Sequence, residues 1–433
     1  MSIYETIQQQ AKTLGPWLRE TRRDFHAHAE GGWCEIRTGS LVARRLTQLG
    51  YEVFMGREVC RDASRMGLPT VQRLDAEYQR AMEQGADPEF APRLRGGFTG
   101  VMGVLDCGDG PVVALRFDMD ALGVVEAAEL SHRPAAEGFR SNNEGVMHAC
   151  GHDGHTAMGL AVAEVLMNLR DQLHGKIKLL FQPAEEGVRG AKSMVGRGLL
   201  DDVDYVIATH MGQRADGVSQ VSFTEDGTLA TTKLDVTFTG KAAHAAMVPE
   251  QGSNALLAAA TAVLNLHAIP RSSQGETRIN VGTLHAGTGR NVICDRAALE
   301  LEVRGATTEI NDYVEWYARR VLEAAAKMHG CSWEITPMGS SPSLRSHPEL
   351  VKRAESVCRD KLGLRVLSGV KAGASEDFAY MVNAVHEHGG QGLMFHTLSP
   401  CAGPFHGRNF DFDEGDMVTG VIAFCGIVAD LLQ

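Results

Sequence analysis

The sequence predicts an α/β protein in which a mostly parallel sheet carries helices on both faces and is interrupted by an inserted α+β unit. Three observations predict it. Short apolar strands alternate with helices from about residue 98 to residue 218. Residues 219–338 then follow a different order, β-α-β-β-α-β, after which the first pattern resumes. Finally, Asp118, Asp120, Glu185, Glu186 and His210 all stand just after apolar strands, where function gathers in a parallel sheet.

Residues 1–55 read as an opening helical region in which RETRRDFHAHAE (19–30) brings Arg and His together. Residues 57–97 are charged, with a helical middle between Pro/Gly flanks, and read as a surface insertion. VVALRF (112–117) is an apolar run ending in the acidic DMD, and HTAMGLAVAEVLMNLRDQL (155–173) is an Ala/Leu-rich helix. KIKLLF (176–181) alternates as a strand and stops at QPAEEG, while DYVIATH (204–210) is a strand ending in His210. In the insert, KLDVTFTG, RINVGTLHAGT, AALELEVRG and CSWEITP read as strands. GSNALLAAATAVLNLHAI and EINDYVEWYARRVLEAAAKMHG read as its helices, giving the ferredoxin-like order. HPELVKRAESVCRDKLG and a C-terminal helix from about residue 414 close the chain. The expected division is therefore a catalytic domain of residues 1–218 and 339–433, with a lid of residues 219–338 inserted in it.

At 433 residues the chain is too long for one ordinary core. With 44% hydrophobic and 22% charged residues it has the composition of a globular protein, which excludes wholesale disorder. A net charge of −12 with no visible basic face excludes nucleic-acid binding. The polar N-terminal segment lacks the apolar core of a signal peptide, and no apolar stretch approaches the ~18 residues of a membrane span. Nine cysteines, an odd number without a framework, fit free thiols in a reducing cytoplasm.

The densest chemical signal is MHACGHDGHTA (147–157), three histidines, a cysteine and an aspartate in a Gly-containing loop before a helix. Divalent ions take His nitrogen, carboxylate and thiolate, and a loop lets Cys150 and His152 converge; the alternative is a buried thiol beside helix-capping histidines. In PAEEG (183–187) two adjacent glutamates follow a buried strand, a costly placement unless both have partners. One carboxylate on a metal and its neighbour taking a proton from an activated water accounts for the pair, although alone the motif equally fits a solvated acidic turn. His210 and His406 are weak signals singly among 17 histidines, and spacing does not choose His406 over His396. Asp118 reads as the acceptor for the outer N–H of a ligand histidine, whereas Asp120 fits that role and a turn cap equally.

Together, RRDFHAHAE, FDMDAL, MHACGHDGHTA, FQPAEEG, ATHM, GKAAHA, GRNVICDRAALELEVRG, GASEDFAY and FHGRNFDFDE resemble the peptidase M20 family, in its amidohydrolase branch, from about residue 20 to the C-terminus. The resemblance implies a zinc-peptidase-like αβ domain with a ferredoxin-like lid that also serves dimerisation. It implies two divalent ions, with Cys150 bridging, His152 and His210 on one, and Glu186 and His406 on the other. It makes Glu185 the general base and selects His406, because HGRNFDFDE matches the family's final histidine motif without a gap. It assigns oxyanion stabilisation in a partner's site to His244, and reception of the substrate carboxylate to Asn291 and Arg304. Glycine-rich joints near residues 217 and 339 would let the lid close.

Three departures stand out: Ala29 and Cys294 where proline is usual, and the 57–97 insertion. The insertion narrows the resemblance to members that cleave p-aminobenzoyl-glutamate into p-aminobenzoate and glutamate with a related second subunit. That resemblance implies manganese, while a bridging thiolate by its softness favours zinc.

Overall fold

The computed structural model describes residues 1–214, 216–223, 228–368 and 374–433. Of the GASEDFAY motif, Gly373 lies outside the described residues. In chain order the strands are β1 (Glu52–Met55), β2 (Val101–Asp106), β3 (Val112–Asp118), β4 (Lys176–Gln182), β5 (Tyr205–Gln213) and β6 (Val221–Phe223). They continue with β7 (Ala230–Thr239), β8 (Thr277–Ala286), β9 (Arg296–Gly305), β10 (Ser332–Ser341), β11 (Val366–Ser368) and β12 (Gln391–Ser399).

The large sheet has the order β1-β2-β4-β3-β5-β12-β6-β11. It is mixed. The centre, β4-β3-β5-β12, is parallel, while β1, β2 and β6 pair antiparallel with their inner neighbours. The near-continuous burial of β3 and β4 follows from their central place, where both faces are covered. On one face lie α1 (Ile3–Thr13), α2 (Gly15–Ala27), α3 (Ile36–Leu49), α5 (His152–Asn168) and a C-terminal helix, Asp416–Leu432; between α3 and α5 in sequence comes α4 (Val71–Glu83) of the insertion. The short helix Ala191–Val195 and Ala379–Glu387 cover the other face. α5 is apolar around most of its circumference and buried along nearly its whole length, as a helix at the centre of a core must be.

The second sheet, β10-β7-β9-β8, is wholly antiparallel. Helices α6 (Ala255–His267) and α7 (Thr308–Met328) cover the face that buries Leu234, Val236, Phe238, Leu299, Leu301 and Val303. The chain order is the β-α-β-β-α-β expected. The limits differ at both ends: β6, within the segment given to the insert, pairs with β11 and β12 in the large sheet, so the antiparallel sheet begins at Ala230 and runs to Ser341. A three-residue strand has too few positions to show a period.

The insertion is anchored, not loose. Trp33, fully buried, donates its Nε1–H to the Met66 carbonyl at 2.8 Å, and Arg65 Nη1 donates to the carbonyls of Gly96 and Gly97. Arg189, just after the PAEEG loop, donates to the Gly67 carbonyl at 3.0 Å. Among the described residues no helix is long and apolar enough to cross a membrane.

Candidate metal centre

His152 opens α5. The residue before it, Gly151, sits at φ +94°, and an added Cβ would press on Met211, so the loop turns tightly enough to bring Cys150 and His152 together. The His152 Nδ1 faces the Asp120 carbonyl at 2.9 Å. A carbonyl only accepts, so Nδ1 carries the proton and the Nε2 lone pair is free; that Nε2 is buried without a partner. His210, in the C-terminal half of β5, repeats the device: Nδ1 donates to the Met211 carbonyl at 2.7 Å, and Nε2 lies 3.4 Å from Cys150 Sγ. Burial, then neighbouring His155, pulls His210 down, which keeps its ring neutral.

His406 approaches from the other side. Its backbone stands at φ +63° and its N–H bonds the Ala149 carbonyl at 2.8 Å, tying the two loops together. Its Nε2 lies 3.6 Å from Glu186 Oε1, an oxygen that is buried without a hydrogen bond. Burial, then His152 and Lys233, pulls His406 down.

Ligand atoms of Cys150, His152 and His210 lie within 4.8 Å of one another, and so do those of Cys150, Glu186 and His406. The two triads share the sulfur. Burial pushes the Cys150 thiol well above its ordinary value, so as a thiolate it needs a cation beside it. Two orphaned buried ligand atoms, two imidazoles locked in the ligating tautomer and a shared thiol fit a pair of divalent ions.

Glu185 stands beside this set, with an oxygen 4.0 Å from His152 Nε2. Burial pushes its carboxyl well above the usual range, and Glu376, Glu186 and Asp377 add to the effect. The Asp120 carboxylate accepts from the backbone N–H groups of Glu185 (2.9 Å) and Glu186 (3.0 Å), so Asp120 caps the PAEEG turn while its carbonyl orients His152. Positive φ at Ala184 and Val188 brackets the pair of glutamates, the local strain that such sites hold.

Asp118 does something other than expected. Its carboxylate accepts from His155 Nδ1 at 2.5 Å and from Arg116 Nη1 at 2.6 Å, not from the outer nitrogen of His152. His155 Nε2 in turn accepts from Met211 N–H, so both its nitrogens are committed and it is no free ligand. The reason is geometric: the Asp120 carbonyl already fills the position facing His152 Nδ1. Arg116, fully buried, joins Asp118, Gln182, Glu376 and Asp377 under the site.

A cavity of about 550 Å³ opens over the cluster, lined by Cys150, Glu185, Glu186, His210, His406 and Arg304 among others. Arg304 donates to Glu302 at 3.1 and 3.2 Å. His244 and Asn291 do not line it. They sit together on an exposed part of the inserted unit, where Ala245 N–H bonds the Asn291 carbonyl and His244 bridges to Val292. There His244 Nδ1 accepts from the N–H groups of Ala246 and Met247, which leaves Nε2–H as an outward donor.

The cavity also shows residues that motif reading passed over. Ser222 and Thr228 line it with buried hydroxyls that have no partner among the described residues, and His396, cross-strand neighbour of Ser222, lines it outside both triads. Lys233 lines it too. Strand alternation sets Lys233 opposite the buried Leu234, but no sequence signal says what lies beneath that face.

Residues 114–430 match peptidase family M20/M25/M40. The chain is 47% identical to one of the component chains of p-aminobenzoyl-glutamate hydrolase from Escherichia coli (strain K12), over 95% of this chain and 94% of that protein. It is 46% identical to indole-3-acetyl-aspartic acid hydrolase of Enterobacter agglomerans, over 96% of each. The crystal structure of an aminobenzoyl-glutamate utilization protein from Klebsiella pneumoniae superposes with a TM-score of 0.83 at 39% identity, over 98% of each chain.

Proposed function

Starting from the premise that the chain belongs to peptidase family M20/M25/M40, we propose that it is a metal-dependent amidohydrolase that cleaves the amide of an N-acyl amino acid, with p-aminobenzoyl-glutamate as its substrate. The observation that carries this reading is the pair of ligand triads sharing Cys150, with Glu185 beside them and held by neither. The relatives named for amides of glutamate and of aspartate support the substrate class.

In this reading His152 and His210 would hold one divalent ion, and Glu186 and His406 the other, with Cys150 belonging to both ligand sets. When bound, such a pair lowers the pKa of a water and polarises the amide carbonyl. Glu185, its carboxyl raised by burial, takes the proton of the attacking water and delivers it to the leaving nitrogen. Asp120 keeps that carboxyl in place through two backbone bonds, and the Arg116 cluster supports the strand ends beneath it. Arg304 receives the α-carboxylate, for which a guanidinium fork is suited. Manganese is the ion proposed, on the resemblance; the thiolate makes zinc the alternative.

His244 completes the site from a second subunit, its Nε2–H donating to the carbonyl oxygen, with Asn291 beside it. The distance of both residues from the cavity of their own chain favours this, and also a related reading in which the chain is inactive until a homologous subunit joins. In the same reading the protein works in the cytoplasm, on a small molecule.

The test is hydrolysis of p-aminobenzoyl-glutamate, indole-3-acetyl-aspartate and hippurate by purified protein, after chelation and after reloading with manganese or zinc. Release of p-aminobenzoate that is abolished by chelation and restored by one ion is expected. Full turnover by chelated protein would sink the reading.

A further inference from the structure

Along β7 the alternation that buries Leu234, Val236 and Phe238 in the lid turns Lys233 to the opposite face. The β7–β9 register sets Lys233 directly across from Glu302 and Thr231 across from Arg304. Opposite charges facing each other across strands normally pair. Here they do not: the Glu302 carboxylate receives Nε and Nη2 of Arg304, and Lys233 forms no ion pair with any described residue. Lys233 and Arg304 are the lysine and arginine of the cavity wall, and the ionisable acids around them are Glu185, Glu186 and Glu376. Two of those acids already have roles at the metal cluster, and Glu376 belongs to Arg116. The cavity thus holds a guanidinium paired with Glu302 and an ammonium to which no described residue supplies a counter-ion.

We propose that Lys233 reads the side-chain carboxylate of the released amino acid while Arg304 takes its α-carboxylate, so that the site selects N-acyl derivatives of aspartate and glutamate over neutral amino acids. The assignment rests on the amidohydrolase reading and deepens it. The two cations suit their tasks. The α-carboxylate keeps a fixed distance from the scissile bond, which a planar fork can match, whereas the side-chain carboxylates of aspartate and glutamate differ by one methylene. An ammonium on a flexible four-carbon stem follows that difference. Both acidic amides are therefore substrates, and their amide-capped counterparts leave Lys233 unpaired in a closed site.

The test uses full-length, metal-loaded protein and two matched pairs: p-aminobenzoyl-glutamate with p-aminobenzoyl-glutamine, and benzoyl-aspartate with benzoyl-asparagine. Wild type prefers the acid in both pairs. In Lys233→Met the acid-to-amide ratio of kcat/KM falls about tenfold or more, chiefly through KM of the acid, and Lys233→Arg keeps most of the preference. Lys233→Gln provides the same reading should the Met variant fold poorly. A ratio within about twofold of wild type in both neutral variants, or equal losses on acid and amide, overturns the assignment. Wild type that cleaves acid and amide alike overturns it too while leaving the amidohydrolase reading intact. Wild type that cleaves none of the four, alone and after mixing with a homologous subunit, defeats both.

Discussion

The Nδ1 proton of His152 goes to the Asp120 carbonyl and that of His210 to the Met211 carbonyl, so each Nε2 is pledged to the cluster before any ion arrives. Glu185 differs from Glu186 in lying outside both ligand triads with the bridging sulfur. Replacing Glu185 by Gln is expected to lower kcat by about 10²–10⁴-fold while metal content by elemental analysis and the Tm hold. A loss below tenfold would remove the proton-shuttling role. Arg116 is a stability residue by the same logic of partners. Without it, the buried carboxylates of Asp118, Glu376 and Asp377 lose the cation they share, so Arg116→Met is expected to cost about 3–5 kcal/mol in urea unfolding. At this scale Cys150, His152, Glu185 and Glu186 were legible because they sit in two dense motifs, whereas His210 and His406 were weak signals singly and only the family resemblance chose His406 over His396. The part played by Asp118 was not, because which acceptor faces His152 depends on a backbone carbonyl that carries no sequence identity. Lys233 was hidden for a similar reason: its face was readable, its surroundings were not.

Helices α2 and α3 are clamped by Asp24 and Arg37, whose two hydrogen bonds are each 2.9 Å long. Burial works to raise the Asp24 carboxyl, yet hydrogen bonds from His28 and Arg37 outweigh it and hold it at about 2, below the ordinary 3.8. A depressed folded-state pKa means the contribution is whole above the unfolded value and is lost as pH falls from about 4 toward 2. Asp24→Asn is expected to flatten the decline in urea midpoint across that window; an unchanged slope would count against the clamp. β10 is the element where lid and site meet. Ser340 N–H bonds the Val188 carbonyl at 2.9 Å, and a Cβ on Gly339 would stand 2.0 Å from the Gly187 carbonyl oxygen. Gly339→Ala is therefore expected to destabilise by about 1–3 kcal/mol and to lower kcat/KM together, since the backbone it displaces carries Glu186. Stability loss with unaltered kinetics would separate hinge from loop. The strands seen in advance were those with apolar runs. β12 escaped because QGLMFHTLS mixes His, Thr and Ser into a run that is buried by its position between β5 and β6, not by its composition.

Among the described residues the two sheets have separate cores, and the cavity lies where the open face of the antiparallel sheet meets the strand ends of the large sheet. The β-α-β-β-α-β order was readable because each element is long and strongly patterned. The mixed edges of the large sheet were not, since strand direction is set by tertiary pairing. If His244 acts in a second copy, His244→Ala lowers kcat about 10²–10³-fold. Mixing it with the Glu185→Gln variant, after dissociation and reassembly, then restores about a quarter of wild-type activity, because half the dimers are mixed and each has one intact site. No recovery would point to a different partner or to a site complete in one chain.

The insertion at 57–97 has a consequence for this arrangement. Its Gly67 carbonyl accepts from Arg189, which follows the glutamates, Gly67 also abuts Met338, and the Met66 sulfur accepts from Ser340 near the end of β10. The segment after the glutamates and the end of β10 are thus braced by a third part of the chain, as a gusset stiffens a corner. If the antiparallel sheet closes over the cavity as the family resemblance implies, such a brace narrows the angles open to it and trades breadth of accepted substrates for fidelity to one shape.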